Sequence, residues 1–138
     1  MYFGLNGDQI MLQDSVSRYL EGASDLEEVR KFAEGDMAIA GVLHEGLSEL
    51  GVPFVLLPEA QGGLGMGVLE AALIQEQLGR FVSSSAFTAA YGMAVVGLRE
   101  AEDTDWLERI ASGEMVMGVG VTEAIGAREG AGLKFSGD

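Results

Sequence analysis

The chain has 138 residues, with 22 Asp+Glu against 8 Lys+Arg and a formal net charge of -14. That length fits one domain, and 48% hydrophobic residues with 22% charged is globular composition. Eight scattered cations exclude a basic nucleic-acid patch and argue against docking to anionic membranes. With no cysteine, disulfides, thiolate metal sites, Fe–S clusters and a Cys nucleophile are excluded, and a reducing, cytoplasmic setting is expected. His44 is the only histidine, too little for a catalytic triad or a His-rich metal site, so no metal is expected.

The first 110 or so residues read as helices. Asn6 with Gln9 resembles a capping box, and Leu12, Val16, Tyr19 and Leu20 then share one helical face, with Gly22 as the stop. Asp25 with Glu28 repeats the signature for a short helix through Phe32, ended by Gly35. Asp36 caps a third helix, striped by Ile39, Val42, Leu43, Leu47 and Leu50 and stopped by a left-handed Gly51. The Pro53–Glu59 run, bracketed by prolines, is expected to be extended. A glycine turn over 62–67 leads into a fourth helix, Val68 to Leu78, closed by Gly79. A fifth helix, about Ser84 to Arg99, is apolar nearly all round, which predicts burial on most sides. A sixth, capped by Asp103 or Thr104, carries Trp106, Leu107 and Ile110 and stops near Gly113.

From Glu114 the pattern changes. Valines at 116, 119 and 121 with no helical stripe predict a strand over Met115–Thr122, with glycines where something approaches the backbone. Thr122 to Gly132 reads as loop and Leu133–Asp138 as a further strand. Two strands without a sheet are marginal. The chain therefore reads as a helical domain over 1–113 followed by the truncated start of a β domain over 114–138. The polar, acidic N-terminus lacks a secretory pattern, and no apolar run is long enough to span a membrane.

The glycine turn invites a dinucleotide-binding reading, but the final glycine of the fingerprint would fall on Val68 and Pro58-Glu59 interrupts the strand-to-turn junction. A sharp reversal between helices is the better account. Glu59 suits holding that turn by accepting from backbone amides. Arg80, at a helix C-terminus, complements the helix dipole and has Glu59 and Glu76 as available partners.

Five segments together resemble the acyl-CoA dehydrogenase family. They are Leu47-Ser-Glu49-Leu50-Gly51-Val, Leu57-Pro58-Glu59-Ala-Gln-Gly62-Gly63-Leu64-Gly65, Gln75-Glu76-Gln-Leu78-Gly79-Arg80, Ser112-Gly113-Glu114 and Val121-Thr122-Glu123. Their order and spacing match across the chain, and family members are usually about three times this length. The resemblance implies a mainly α fold: the N-terminal helical bundle with one or two strands at the C-terminal end. It implies a FAD-dependent oxidoreductase that removes hydrogens from the α and β carbons of an acyl-CoA thioester in fatty-acid and lipid degradation. A glutamate takes the α proton, flavin N5 takes the β hydride, and an electron-transfer flavoprotein accepts the electrons. The catalytic glutamate belongs to a C-terminal domain, so no catalytic residue is expected here and the chain alone is expected to be inactive.

The resemblance also implies that the strand Val119–Thr122 runs along the flavin ring, with Val119, Val121 and Thr122 bonding its polar edge. Gly118 and Gly120 would let a flat ring lie close. Beyond Thr122 the sequence departs from the family pattern T-E-P-x-A-G-S-D: the proline is Ala124, and the serine position falls on Arg128. An arginine there either clashes with flavin or pairs with a phosphate or CoA. The fifth helix lines the acyl chain in the family, which puts Ala86, Phe87 and Ala90 in the substrate pocket. Two alternatives stay open: a flavin-free structural subunit of a heteromeric dehydrogenase, and a non-catalytic helical interaction module. Homo- or hetero-oligomers are expected of the whole protein.

Overall fold

The computed structural model describes residues 4–120, and the backbone of 125–129 and 132–136. The helices are α1 (Gly7–Ala23), α2 (Leu26–Ala33), α3 (Ala38–Glu49), α4 (Val68–Arg80), α5 (Ala94–Glu100) and α6 (Thr104–Ala111). A π-helical segment, Phe87–Met93, leads directly into α5, and short 3-10 turns occupy Val52–Phe54 and Glu59–Gln61. Among the described residues no helix is long and apolar enough to cross a membrane.

The caps expected from the sequence form. Asn6 Oδ1 accepts from Gln9 N at 2.9 Å, and Asn6 N donates to Gln9 Oε1 at 3.0 Å. Asp25 Oδ1 accepts from Glu27 N and Glu28 N. The Glu28 half of that box does not close, because its carboxylate takes Lys31 Nζ at 2.9 Å. Asp36 Oδ1 accepts from Ala38 N, and Asp103 Oδ1 from Trp106 N.

α1 packs along α4, tied by Gln9 Nε2 to Glu70 Oε1 at 2.8 Å and Gln13 Nε2 to Glu76 Oε2 at 3.0 Å. The Gln9 amide and nearby backbone N–H groups hold the Glu70 carboxyl below its ordinary range. α3 contributes Leu43 and Leu47 to the core, whereas Val42 of the expected stripe is 66% exposed. The core centres on Leu20, Leu47, Leu57, Ile74, Val95 and Ile110, all but closed to solvent.

The segment after α3 differs from the expected extended run. Gly51 is left-handed as expected, at φ 77°. Val52–Phe54 then coils into a 3-10 turn with Val55 still at helical angles, and Pro58 is extended. The run satisfies its backbone partly in turns and partly across the reversal that follows, where Phe54 O accepts from Leu64 N at 2.9 Å, while Val52, Val55, Leu56 and Leu57 fill the core. Pro53 early in the turn needs no donor there. Backbone bonds then hold the glycine reversal: Gly63 N to Pro58 O at 3.0 Å, Gly65 N to Leu57 O at 2.8 Å and Met66 N to Val55 O at 2.8 Å. Among the described residues no amide donates to the Glu59 carboxylate, so Glu59 does not hold the turn as expected.

α4 runs past Gly79 and ends in a Schellman motif, with Val82 N to Gly79 O and Ser83 N to Leu78 O. Its left-handed position is filled by Val82 at φ 51°, a strained place for a β-branched residue. The expected fifth helix is π-helical in its first half. Phe87, Ala90, Tyr91, Ala94 and Val95 are buried, but Met93 and Val96 are about two-fifths exposed at 41% and 37%. The expected burial on most sides is therefore incomplete. Residues 115–120 form no strand. The backbone of Ile125–Glu129 (β1) pairs antiparallel with Gly132–Ser136 (β2), so β1 falls where a loop was expected.

Candidate functional site

Two apolar-walled recesses flank the π-helical segment. The first is a half-open cavity of about 440 Å³. Phe32, Met37, Ala40, Ala86 and Val116 form its apolar wall, and His44, Tyr91 and Ser83–Ser85 its polar one. The second is a shallower groove of about 600 Å³ between α4 and the π-helical segment with α5, lined by Leu56, Val68, Ala71, Phe87, Met93 and Val96 among others.

Local structure explains the first cavity. The strained turn at Val82 throws Ser83–Ser85 across the end of α4. Ser83 Oγ meets Ser24 Oγ at 3.2 Å, and Ser24 Oγ donates to Phe81 O at 3.3 Å, which anchors the loop to α1. Ser85 Oγ accepts from Phe87 N at 3.2 Å and so caps the π-helical segment. A π-helical turn shifts the register of the side chains that follow it, and such turns recur at functional sites. Here the segment carries Tyr91, 6% exposed, with its ring stacked on His44 at 5.7 Å between centroids and 7° between planes. Tyr91 Oη lies 3.4 Å from His44 Nε2. Burial pushes the Tyr91 phenol above its ordinary value.

The expected substrate-pocket residues do not share one recess. Ala86 lines the cavity, Phe87 lines the groove, and Ala90 is core at 1% exposure. His44 and Tyr91 were not singled out for the cavity from sequence. Their signal was weak: an isolated histidine on one helix and a tyrosine in an apolar helix, brought together only by packing.

Of the expected flavin-contact residues, Val119 is exposed and in irregular structure. Val121 and Thr122 lie outside the described residues. Arg128 lies on β1, its backbone opposite Leu133. No backbone N–H or C=O of residues 115–120 bonds to another described residue, and a Cβ at Gly118 or Gly120 would meet open space. Backbone groups without a partner among the described residues, beside two glycines, suit the polar rim of a flat ring such as flavin.

Arg80 makes neither expected ion pair. Glu76 is taken by Gln13, and the Arg80 guanidinium lies 5.7 Å from the Phe81 ring. Ion pairs among the described residues join Lys31 to Glu27 and Glu28, and Arg109 to Glu114. No described cluster of His, Asp and Glu could hold a metal ion.

Among the described residues, then, the chain is a helical bundle with an apolar-walled cavity beside the irregular segment 115–120. The family profile described as "Acyl-CoA dehydrogenase, N-terminal domain" matches residues 6–114, and the chain belongs to the acyl-CoA dehydrogenase family. Among curated proteins it is similar to (2S)-methylsuccinyl-CoA dehydrogenase of Cereibacter sphaeroides, 27% identical over 122 residues. The match covers 82% of this chain and 21% of that protein, so the chain spans about a fifth of the relative's length. No solved structure gives a significant match.

Proposed function

We propose that the chain forms the N-terminal part of a FAD-dependent acyl-CoA dehydrogenase. The observation that carries the reading is the family match over 6–114, followed directly by a segment, 115–120, whose backbone has no partner among the described residues. On this reading 1–113 is the helical domain and 114–138 opens a β domain. Backbone groups of Val119 and Val121 and the Thr122 hydroxyl hold the flavin edge, and Arg128 stands near it. Bound flavin supplies the acceptor for the hydride leaving the acyl β carbon. The helical domain walls the acyl group and keeps water from it, while the base that takes the α proton lies outside this chain. The substrate is an acyl-CoA thioester, as the relative's name says of that protein. The electron acceptor is an electron-transfer flavoprotein, the assembly is oligomeric, and the cysteine-free composition supports a reducing, cytoplasmic location.

Arg128 favours a second reading, the flavin-free subunit of a heteromeric dehydrogenase, because it stands where the family has serine. One experiment separates the two. The purified protein is titrated with FAD and followed by visible absorbance and flavin fluorescence. On the first reading it binds FAD, and Thr122→Ala weakens binding by one hydrogen bond, about 0.5–1.5 kcal/mol. On the second it takes up no FAD until Arg128→Ser opens the site. Absence of FAD binding in both the native protein and Arg128→Ser defeats both forms of the flavin reading.

A further inference from the structure

Between α1 and α4 lies a polar recess of about 360 Å³, lined by Gln13, Asp14, Ser17, Glu76, Gln77 and Arg80. Gln77 sets it apart from a gap between surface side chains. It is 4% exposed, yet neither the oxygen nor the nitrogen of its side-chain amide bonds to a described residue. A buried amide normally has a partner. Among the described residues no side-chain N or O atom is both sealed from solvent and unpaired. The Gln77 amide therefore keeps a small opening, and the recess it lines is where that opening lies.

The charges around Gln77 are held apart. Glu76 and Arg80 stand four residues apart on α4 with the acid first, the better order for a helical ion pair. Among the described residues that pair does not form. Glu76 Oε2 turns to α1 and accepts from Gln13 Nε2 at 3.0 Å. The Arg80 guanidinium lies 5.7 Å from the Phe81 ring, near the outer limit of a cation–π contact and easily given up. Asp14 and Ser17 Oγ have no described side-chain partner. The exposed rim thus carries two carboxylates and one guanidinium, with a buried amide behind them.

A lone anion would meet both carboxylates, and a lone cation would meet Arg80. An apolar group would leave the Gln77 amide unpaired. A small ligand with both charges meets every group. Its carboxylate takes the Arg80 fork and the Gln77 N–H, and its ammonium donates to Asp14, Glu76 and Ser17. The volume lies at the small end of the range for small-molecule sites.

We propose that this recess binds a free α-amino acid, through Arg80 and Gln77 at its carboxylate and through Asp14 and Glu76 at its ammonium. The recess shares no lining residue with either recess beside the π-helical segment, so the inference does not rest on the dehydrogenase reading.

The purified protein is titrated by calorimetry with L-alanine, L-leucine and L-glutamate at up to millimolar concentration. At least one is expected to bind saturably. Because the ligand bridges α1 and α4, it is also expected to raise Tm in a concentration-dependent way. The N-acetyl form of that amino acid lacks the ammonium and its amide lacks the carboxylate, and each should bind about tenfold or more weakly. Gln77→Met keeps the buried volume and Arg80→Gln alters an exposed side chain, so both variants should fold. Each should weaken binding by a similar factor, and Asp14→Asn should weaken the amino acid but not its N-acetyl form. No saturable binding of any of the three overturns the inference. So does equal binding of the capped forms, or unchanged binding by Gln77→Met and Arg80→Gln.

Discussion

Gly63→Ala tests how the glycine reversal is built. Gly63 has no left-handed φ, so an alanine there meets no backbone prohibition. In open space the change would stabilise by about 0.4–1 kcal/mol through the unfolded chain. The added Cβ, however, would overlap the carbonyl carbon, carbonyl oxygen and Cβ of Leu57. These atoms have little room to yield. Leu57 is 0% exposed, and its carbonyl accepts from Gly65 N at 2.8 Å. Overpacking of this kind costs about 1–3 kcal/mol, so a net loss of about 1–2 kcal/mol is expected. Gly41→Ala is the matched control. It lies within α3 with nothing within 4 Å of its added Cβ, and should stabilise by up to about 1 kcal/mol. Urea unfolding followed by far-UV circular dichroism gives both values, with m unchanged if only stability moves. The two variants should move the midpoint in opposite directions. A Gly63→Ala protein as stable as the parent would refute the close approach on which the reversal depends.

Asn6→Ala removes the bond that Asn6 Oδ1 accepts from Gln9 N, leaves the backbone N–H that donates to Gln9 Oε1, and should cost about 1 kcal/mol in the same assay. Val82→Gly should raise stability by about 0.5–1 kcal/mol, because relief of left-handed strain exceeds glycine's unfolded-state entropy. Ile74→Ala empties a 0% exposed site on α4 and should cost about 2–5 kcal/mol. Tyr91 has its phenol raised by burial, and Tyr19 likewise by burial and then by Glu49 and Glu45. The unfolded chain therefore releases these protons first. The stability they contribute is complete below the ordinary tyrosine value of 10.0 and is lost as pH rises through the raised folded values. Urea midpoints between pH 9 and 12 should fall, and less steeply in Tyr91→Phe.

Most of the helical layout was legible because its signals are local. Caps at Asn6 and Asp25, the left-handed Gly51 and the Leu43–Leu47 face each depend on residues within a turn or two. The errors have equally physical sources. The Pro53–Glu59 run reads as extended because prolines and apolar residues also mark strands, yet its start coils into a 3-10 turn and its carbonyls bond to the reversal that follows. Gly79 reads as a stop, but the stop is set by Val82, a residue poorly suited to that conformation. The partly exposed face of Met93 and Val96 is invisible to periodicity, since that helix is apolar nearly all round.

By itself the sequence determined the family, through the order and spacing of motifs that a chain preserves however it folds. It determined the helix starts, through side chains that pair with the nearest free N–H groups. Tertiary structure alone decided the candidate site. Ala86 and Phe87 are neighbours in sequence, yet they face different recesses, because a helical turn sends adjacent side chains in different directions. His44 and Tyr91 are 47 residues apart and meet ring to ring. That meeting depends on how α3 and the π-helical segment pack through the shared core, and no local pattern encodes it.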